Sequence, residues 1–249
     1  MTPKLTWVEK MKRWERAQDE ALAKDLMTPP ELTTILKAIR FPSVAILMGG
    51  RGTGKSGLAH EIMRQFHNRY KISCTMFVPK VNLHKPLRKL LPAWIKIVSS
   101  LDDLPIKSIT LIDEASQVAH ARRTQSGDAV ELDNLIGISR QRKQIILFLS
   151  HHSRKLDPNL IHDSDMIIWK EPTKAHVLFE RDEMQLFAKK AWDFFANVHR
   201  EKDKVKLSYV MDLHKLKFSY IKNRLPDYWT EDLSNIFQTA GVSMKGNKQ

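Results

Sequence analysis

The chain has 249 residues, 42% of them hydrophobic and 28% charged, a composition that excludes a disordered or collagen-like polymer. Its single cysteine, Cys74, excludes an internal disulfide and a metal site built on two or four cysteines, and suits a reducing cytosol. Forty-one Lys and Arg against 28 Asp and Glu leave a formal net charge of +13, which favours a polyanionic partner without naming it. The longest apolar runs, Val44–Met48 and Ile145–Leu149, fall far short of the roughly 20 residues that span a bilayer. The N-terminus carries no apolar signal core. These features lead to the expectation of a cytoplasmic protein with no membrane span of its own.

In chain order, Leu5, Val8, Met11, Trp14 (or Ala17), Leu22 and Leu26 recur at helical steps among charged residues. Pro29-Pro30 interrupts, and a short helix is expected from Glu31 to Arg40, stopped before Pro42. Residues 1–40 therefore read as a helical adaptor. From Ser43 the texture changes. Val44–Met48 is a continuous apolar run of the kind buried on both faces of a parallel sheet. A helix from Lys55 to about Arg69 follows, then further strands at Ser73–Val78, Ile109–Ile112, Ile145–Leu149 and Met166–Trp169, with helical stretches such as Val130–Gln141 between them. This alternation predicts an α/β fold of three layers over residues 41–180. Ala175–Phe179 is read as an edge strand. The basic extension 181–249 is read as mainly helical, with Met184, Phe187, Ala188, Ala191 and Phe195 on one face and a polar tail after Gly241.

Between the first strand and its helix stands Gly49-Gly50-Arg51-Gly52-Thr53-Gly54-Lys55-Ser56, followed by Gly57. It fits the phosphate-binding pattern G-x-x-x-x-G-K-[ST] at every fixed position and in the required strand–loop–helix context. Glycines let backbone N–H groups curl toward phosphate oxygens, and the helix N-terminus adds a favourable dipole. Lys55 is expected to reach the β- and γ-phosphates of ATP, and the Ser56 hydroxyl to bind Mg²⁺. Ile109–Ile112 then delivers Asp113 and Glu114 at the C-terminal end of a buried strand, where open α/β sheets bind ligands. Asp113 suits the metal. Glu114 suits the attacking water, as general base or orienter. No Asn-Lys-x-Asp motif of small GTPases is present.

A third stretch runs Ile138-Ser139-Arg140-Gln141-Arg142-Lys143-Gln144, then the strand Ile145–Leu149, then Ser150-His151-His152. Together with the first two motifs it resembles the FtsK–HerA superfamily of RecA-like, DNA-pumping P-loop ATPases, over about residues 43–171. The resemblance implies a RecA-like fold with a mostly parallel sheet. His151 stands where that family has a polar sensor of the γ-phosphate, usually Gln. Arg140, or else Arg142, matches an arginine supplied to a neighbouring subunit's nucleotide. His151, His152 and His162 fix no metal geometry by themselves.

What the resemblance implies is a Mg²⁺-dependent ATPase moving DNA as a ring, expected to be a hexamer, with compact chains of this build resembling viral genome-packaging ATPases. A portal or membrane-embedded partner fits that role, and so does a place in the host cytoplasm or with the virion. The P-loop also looks like those of terminases. An ATP-dependent switch or helicase loader of the AAA+ type, or a small-molecule kinase, would use the same phosphate cradle. Candidate DNA contacts are the basic stretch from Lys80 to Lys96, the pair Arg122–Arg123, and Lys189–Arg224 with its accompanying Tyr209, Phe218, Tyr220 and Tyr228.

Overall fold

The computed structural model describes residues 20–21, 24–113 and 135–242. A nine-stranded mixed sheet runs through them. Its strands are β1 (Glu31–Thr33), β2 (Ser43–Met48), β3 (Ser73–Phe77), β4 (Ile95–Val98), β5 (Ser108–Ile112), β6 (Ile145–Leu149), β7 (Met166–Trp169), β8 (Leu207–Asp212) and β9 (Lys217–Lys222). Their order across the sheet is β1-β9-β8-β7-β2-β6-β5-β3-β4. Pairing is antiparallel only at β7–β8 and β8–β9, and parallel from β7 across to β4 and between β1 and β9.

The five apolar runs read as strands form the centre of the sheet. Every residue of β2 is buried. Ala45 and Leu47 pack on one face with Leu58, Ile62 and Phe66 of the helix Lys55–Tyr70. Val44, Ile46 and Met48 pack on the other with Leu160, Met184, Ala188 and Phe195, carried by the helices Pro158–His162 and Asp182–Ala196. Alternate side chains thus leave the strand toward two helical layers. Each large apolar side chain so buried contributes about 1.5–3 kcal/mol.

Three segments differ from the sequence-based expectation. Glu31–Arg40 divides into β1 and a short helix, Ile35–Ala38. β1 is drawn into the sheet by pairing with β9, almost two hundred residues away, as Glu31 opposite Ser219 shows. Ala175–Phe179 lies in a helix, Lys174–Phe179, rather than an edge strand. The Thr173 backbone N–H donates to Nδ1 of His176 at 2.9 Å, closing the first turn, while the edge of β7 is already taken by β8. Residues 207–222, read as helical, form the β8–β9 hairpin. β4, which overlaps the end of the basic stretch 80–96, is a further edge strand, with Ile95 and Ile97 buried and Lys96 exposed.

Candidate nucleotide site

β2 ends at Met48 and the chain turns at once into the glycine loop. Gly49 has φ +142°, and a Cβ there would stand 2.9 Å from Cβ of Lys170 and 3.0 Å from its carbonyl oxygen. Only glycine lets the loop lie this close to the end of β7. Gly54, at φ +89°, turns the loop into the helix Lys55–Tyr70. The Gly50 N–H donates to the Glu171 carbonyl at 3.0 Å, and the Thr53 hydroxyl to the Gly50 carbonyl at 2.8 Å. Arg51 and Gly52 stand exposed at the tip. Gly57, one turn into the helix, is covered by the Leu225 side chain.

Lys55 is buried, and its ammonium donates to the carbonyls of Gly49 at 2.9 Å and Gly50 at 2.8 Å. Burial lowers its pKa to about 8, against the pull of Asp113, while Arg51 lowers it further. Nζ also lies 3.1 Å from Nδ1 of His151. A lysine ammonium can only donate, so Nδ1 accepts and the ring proton sits on Nε2. The Ser56 hydroxyl donates to Oδ2 of Asp113 at 3.3 Å. The sheet order explains this gathering. β6 lies between β2 and β5, so the C-terminal ends of three adjacent parallel strands present the loop, His151 and Asp113 side by side. A hydroxyl and a carboxylate facing each other are the hard oxygen donors that Mg²⁺ prefers, so Ser56 and Asp113 fit that ion. Glu114 lies outside the described residues, as do Arg122 and Arg123.

Arg140 is not part of this gathering. Its guanidinium donates to Oδ1 of Asp165 at 2.6 Å and lies 2.9 Å from Nε2 of His214. Asp165 accepts the Val44 N–H at 2.8 Å, at the start of β2. Five residues of strand, roughly 17 Å at about 3.3 Å each, separate that end from the glycine loop. Burial alone would raise the Asp165 pKa, but the Val44 N–H, Arg140 and His214 together hold it below the ordinary carboxylate value. Arg142 points elsewhere, donating to the Leu104 carbonyl.

Several supporting residues carry no sequence signal. Lys170, fully buried at the end of β7, donates to the carbonyls of Val205 at 2.5 Å and Leu207 at 2.6 Å and to Oδ1 of Asn223 at 3.2 Å. Burial pulls its pKa to about 7. It ties the residues behind Gly49 to the β8–β9 hairpin. Glu171, whose carbonyl holds Gly50, is paired with Lys204 at 2.9 Å. His60, deep in the helix after the loop, meets the hydroxyl of Tyr228 at 3.1 Å and the edge of Trp229. His151 is fixed from behind by His176, whose Nε2 donates to the His151 carbonyl at 2.5 Å.

His152, His176 and Glu180 gather their donor atoms within 4.8 Å of one another. The two rings are stacked, however, with centroids 4.6 Å apart and planes at 23°. Their in-plane lone pairs run nearly parallel instead of converging, and Glu180 is engaged by the Ser153 N–H at 2.8 Å. The group reads as a brace for the loop after β6. In the basic stretch Lys189–Arg224, Tyr209 and Phe218 are buried core residues, and Lys189, Lys204, Lys206 and Lys217 are engaged in ion pairs. No helix among the described residues is long and apolar enough to cross a membrane.

No match to the chain is found among curated proteins. Among solved structures, the fold is similar to the genome packaging NTPase B204 from Sulfolobus turreted icosahedral virus 2 in complex with ATPγS. That likeness has TM-score 0.51 and 14% identity, and covers 74% of this chain and 98% of the other. It is also similar to the pCW3 conjugation coupling protein TcpA with ATPγS, with TM-score 0.53 and 13% identity, covering 87% of this chain and 76% of the other. The RecA-like fold implied by the sequence motifs is thus met. Residues 45–172 match the model of the ATPase family associated with various cellular activities (AAA). With the phosphate loop, Lys55 and Asp113 assembled at one rim of its sheet, the chain belongs to that AAA family of P-loop ATPases.

Proposed function

We propose that this ATPase is Mg²⁺-dependent and moves DNA as a ring oligomer, with viral genome packaging as its task. The observation that carries the reading is the gathering of Lys55, Ser56 and Asp113 on a sheet built like that of a packaging NTPase. The net charge of +13 supports a polyanionic cargo.

In this reading Lys55 leaves the loop carbonyls to neutralise the β- and γ-phosphates. Ser56 and Asp113 hold Mg²⁺, which when bound offsets charge on the phosphates. Glu114 takes the proton of the attacking water or orients it. His151 offers its Nε2–H to the γ-phosphate. Arg140, at the opposite end of its own sheet from the glycine loop, would serve the nucleotide of a neighbouring subunit in a ring such as a hexamer. A portal or membrane-embedded partner would anchor that ring in the host cytoplasm.

The AAA match favours a second reading, an ATP-dependent switch or loader that changes partners without processive motion. Steady-state ATP hydrolysis separates the two. A motor is stimulated by long DNA, and its specific turnover rises with protein concentration as rings assemble. A loader hydrolyses slowly and gains little from long DNA.

A further inference from the structure

At the rim opposite the glycine loop, a cavity of about 790 Å³ opens between the starts of the strands. Its floor is aliphatic and aromatic. Its wall carries Lys37, Lys71, Lys107 and Lys143, all exposed. None of the four makes an ion pair with a described residue. Arg40, beneath them, is engaged by Asp165 and Asp212. Phe41 and Tyr70 remain 40% and 54% exposed at the mouth.

The backbone supplies a second, independent observation. Among the described residues, four non-glycine residues have positive φ, and three of them are Lys71 at 55°, Lys107 at 50° and Lys143 at 53°. Each sits just before a strand, at a turn that glycine would take without steric cost. A lysine stands there instead, three times, around one cavity.

We propose that this cavity binds single-stranded polynucleotide, with bases stacked on Phe41 and Tyr70 and phosphates paired with Lys37, Lys71, Lys107 and Lys143. Exposed aromatics set among unpaired cations are the arrangement that grips a single strand without reading sequence. A duplex hides its base faces and would leave the apolar floor against sugar and phosphate. An acidic peptide fits less well. Its carboxylates would find the cations, but an acidic side chain brings no flat face to stack on Phe41 and Tyr70. The assignment rests on the motor reading only for DNA as the strand in question. It leaves the nucleotide site open, because the two lie at opposite ends of β2.

The test is fluorescence anisotropy of a fluorescein-labelled oligo(dT) of about 20 nucleotides, a length above the 4–16 nucleotides typical of a single-strand groove. Wild type is compared with the triple variant Lys71→Gly/Lys107→Gly/Lys143→Gly. Glycine suits all three φ values, so the variant should melt at or above the wild-type temperature and keep its DNA-free ATPase rate. Its oligo(dT) affinity should fall about tenfold to a hundredfold, and the slope of log affinity against log salt should shrink by about 2. Phe41→Ala/Tyr70→Ala should weaken oligo(dT) binding more than duplex binding. Unchanged affinity and slope in the folded triple variant overturn the proposal. So does equal loss on duplex and single strand, or loss of poly-glutamate binding with oligo(dT) binding intact. If DNA fails to stimulate hydrolysis but the triple variant still loses oligo(dT), the motor reading falls and this site stands.

Discussion

The Ser56 hydroxyl donates to Oδ2 of Asp113 at 3.3 Å, across a sequence separation of 57 residues. That bond joins the end of the glycine loop to the end of β5, and marks where a divalent ion and the phosphates it accompanies would sit. Asp113→Asn keeps the shape and removes the charge. It should leave the melting temperature within a few degrees of wild type and raise the Mg²⁺ concentration for half-maximal hydrolysis at least tenfold. A Mg²⁺ titration of ATPase rate checks this. An unchanged midpoint would remove Asp113 from the metal site.

Lys55 gives a pH dependence with a defined sign. Its pKa in the free protein is lowered to about 8 by burial. Bound phosphates favour the ammonium and raise that value, so above pH 8 ATP binding must take up a proton. Affinity should therefore hold steady below pH 7 and fall as pH rises past 8, by up to about tenfold per unit. Calorimetry in buffers of different ionisation enthalpy reads the proton directly. Lys55→Arg, always charged, should flatten the profile.

Lys170 has all three ammonium hydrogens engaged with acceptors in the β8–β9 segment. Lys170→Met fills the volume but leaves buried acceptors without donors. It should cost about 2–4 kcal/mol in urea unfolding. Since Lys170 also backs Gly49, ATP affinity should drop more than in a distant variant of equal stability loss.

Arg140 separates stability from turnover. Its side chain is 60% exposed, and Asp165 keeps the Val44 N–H, Arg40 and His214 without it. Arg140→Ala should change stability by less than about 1 kcal/mol. In assembled protein, it should cut turnover by about 10³-fold or more if the arginine acts on a neighbour's nucleotide. Mixing Arg140→Ala with Lys55→Ala subunits should then restore some activity. Failure of rescue in demonstrably mixed rings contradicts that geometry.

The central strands and the phosphate loop were legible because burial on both faces leaves continuous apolar runs, and because a phosphate cradle needs glycines at fixed spacing. β5 announced Asp113 in the same way. The hairpin β8–β9 was not legible. Its strands mix Lys and Asp with apolar residues, and its turn bends at Leu216, at φ 47°, where no glycine or asparagine gives the signal. β1 depends on a partner strand far along the chain. Lys170, Glu171 and His176 act through backbone carbonyls and N–H groups that no side-chain pattern reveals. The four lysines of the distal cavity are scattered from residue 37 to residue 143, and only the fold brings the short helix Ile35–Ala38 beside the starts of β3, β5 and β6.

The central claim is that ATP cleavage at Lys55 and Asp113 is coupled to pulling on DNA. Its most direct measurement is the rate of ATP hydrolysis by the assembled protein, with and without DNA, beside the Lys55→Ala variant. The account predicts a rate that DNA raises severalfold and that Lys55→Ala abolishes. A monomer whose hydrolysis is indifferent to DNA would contradict it.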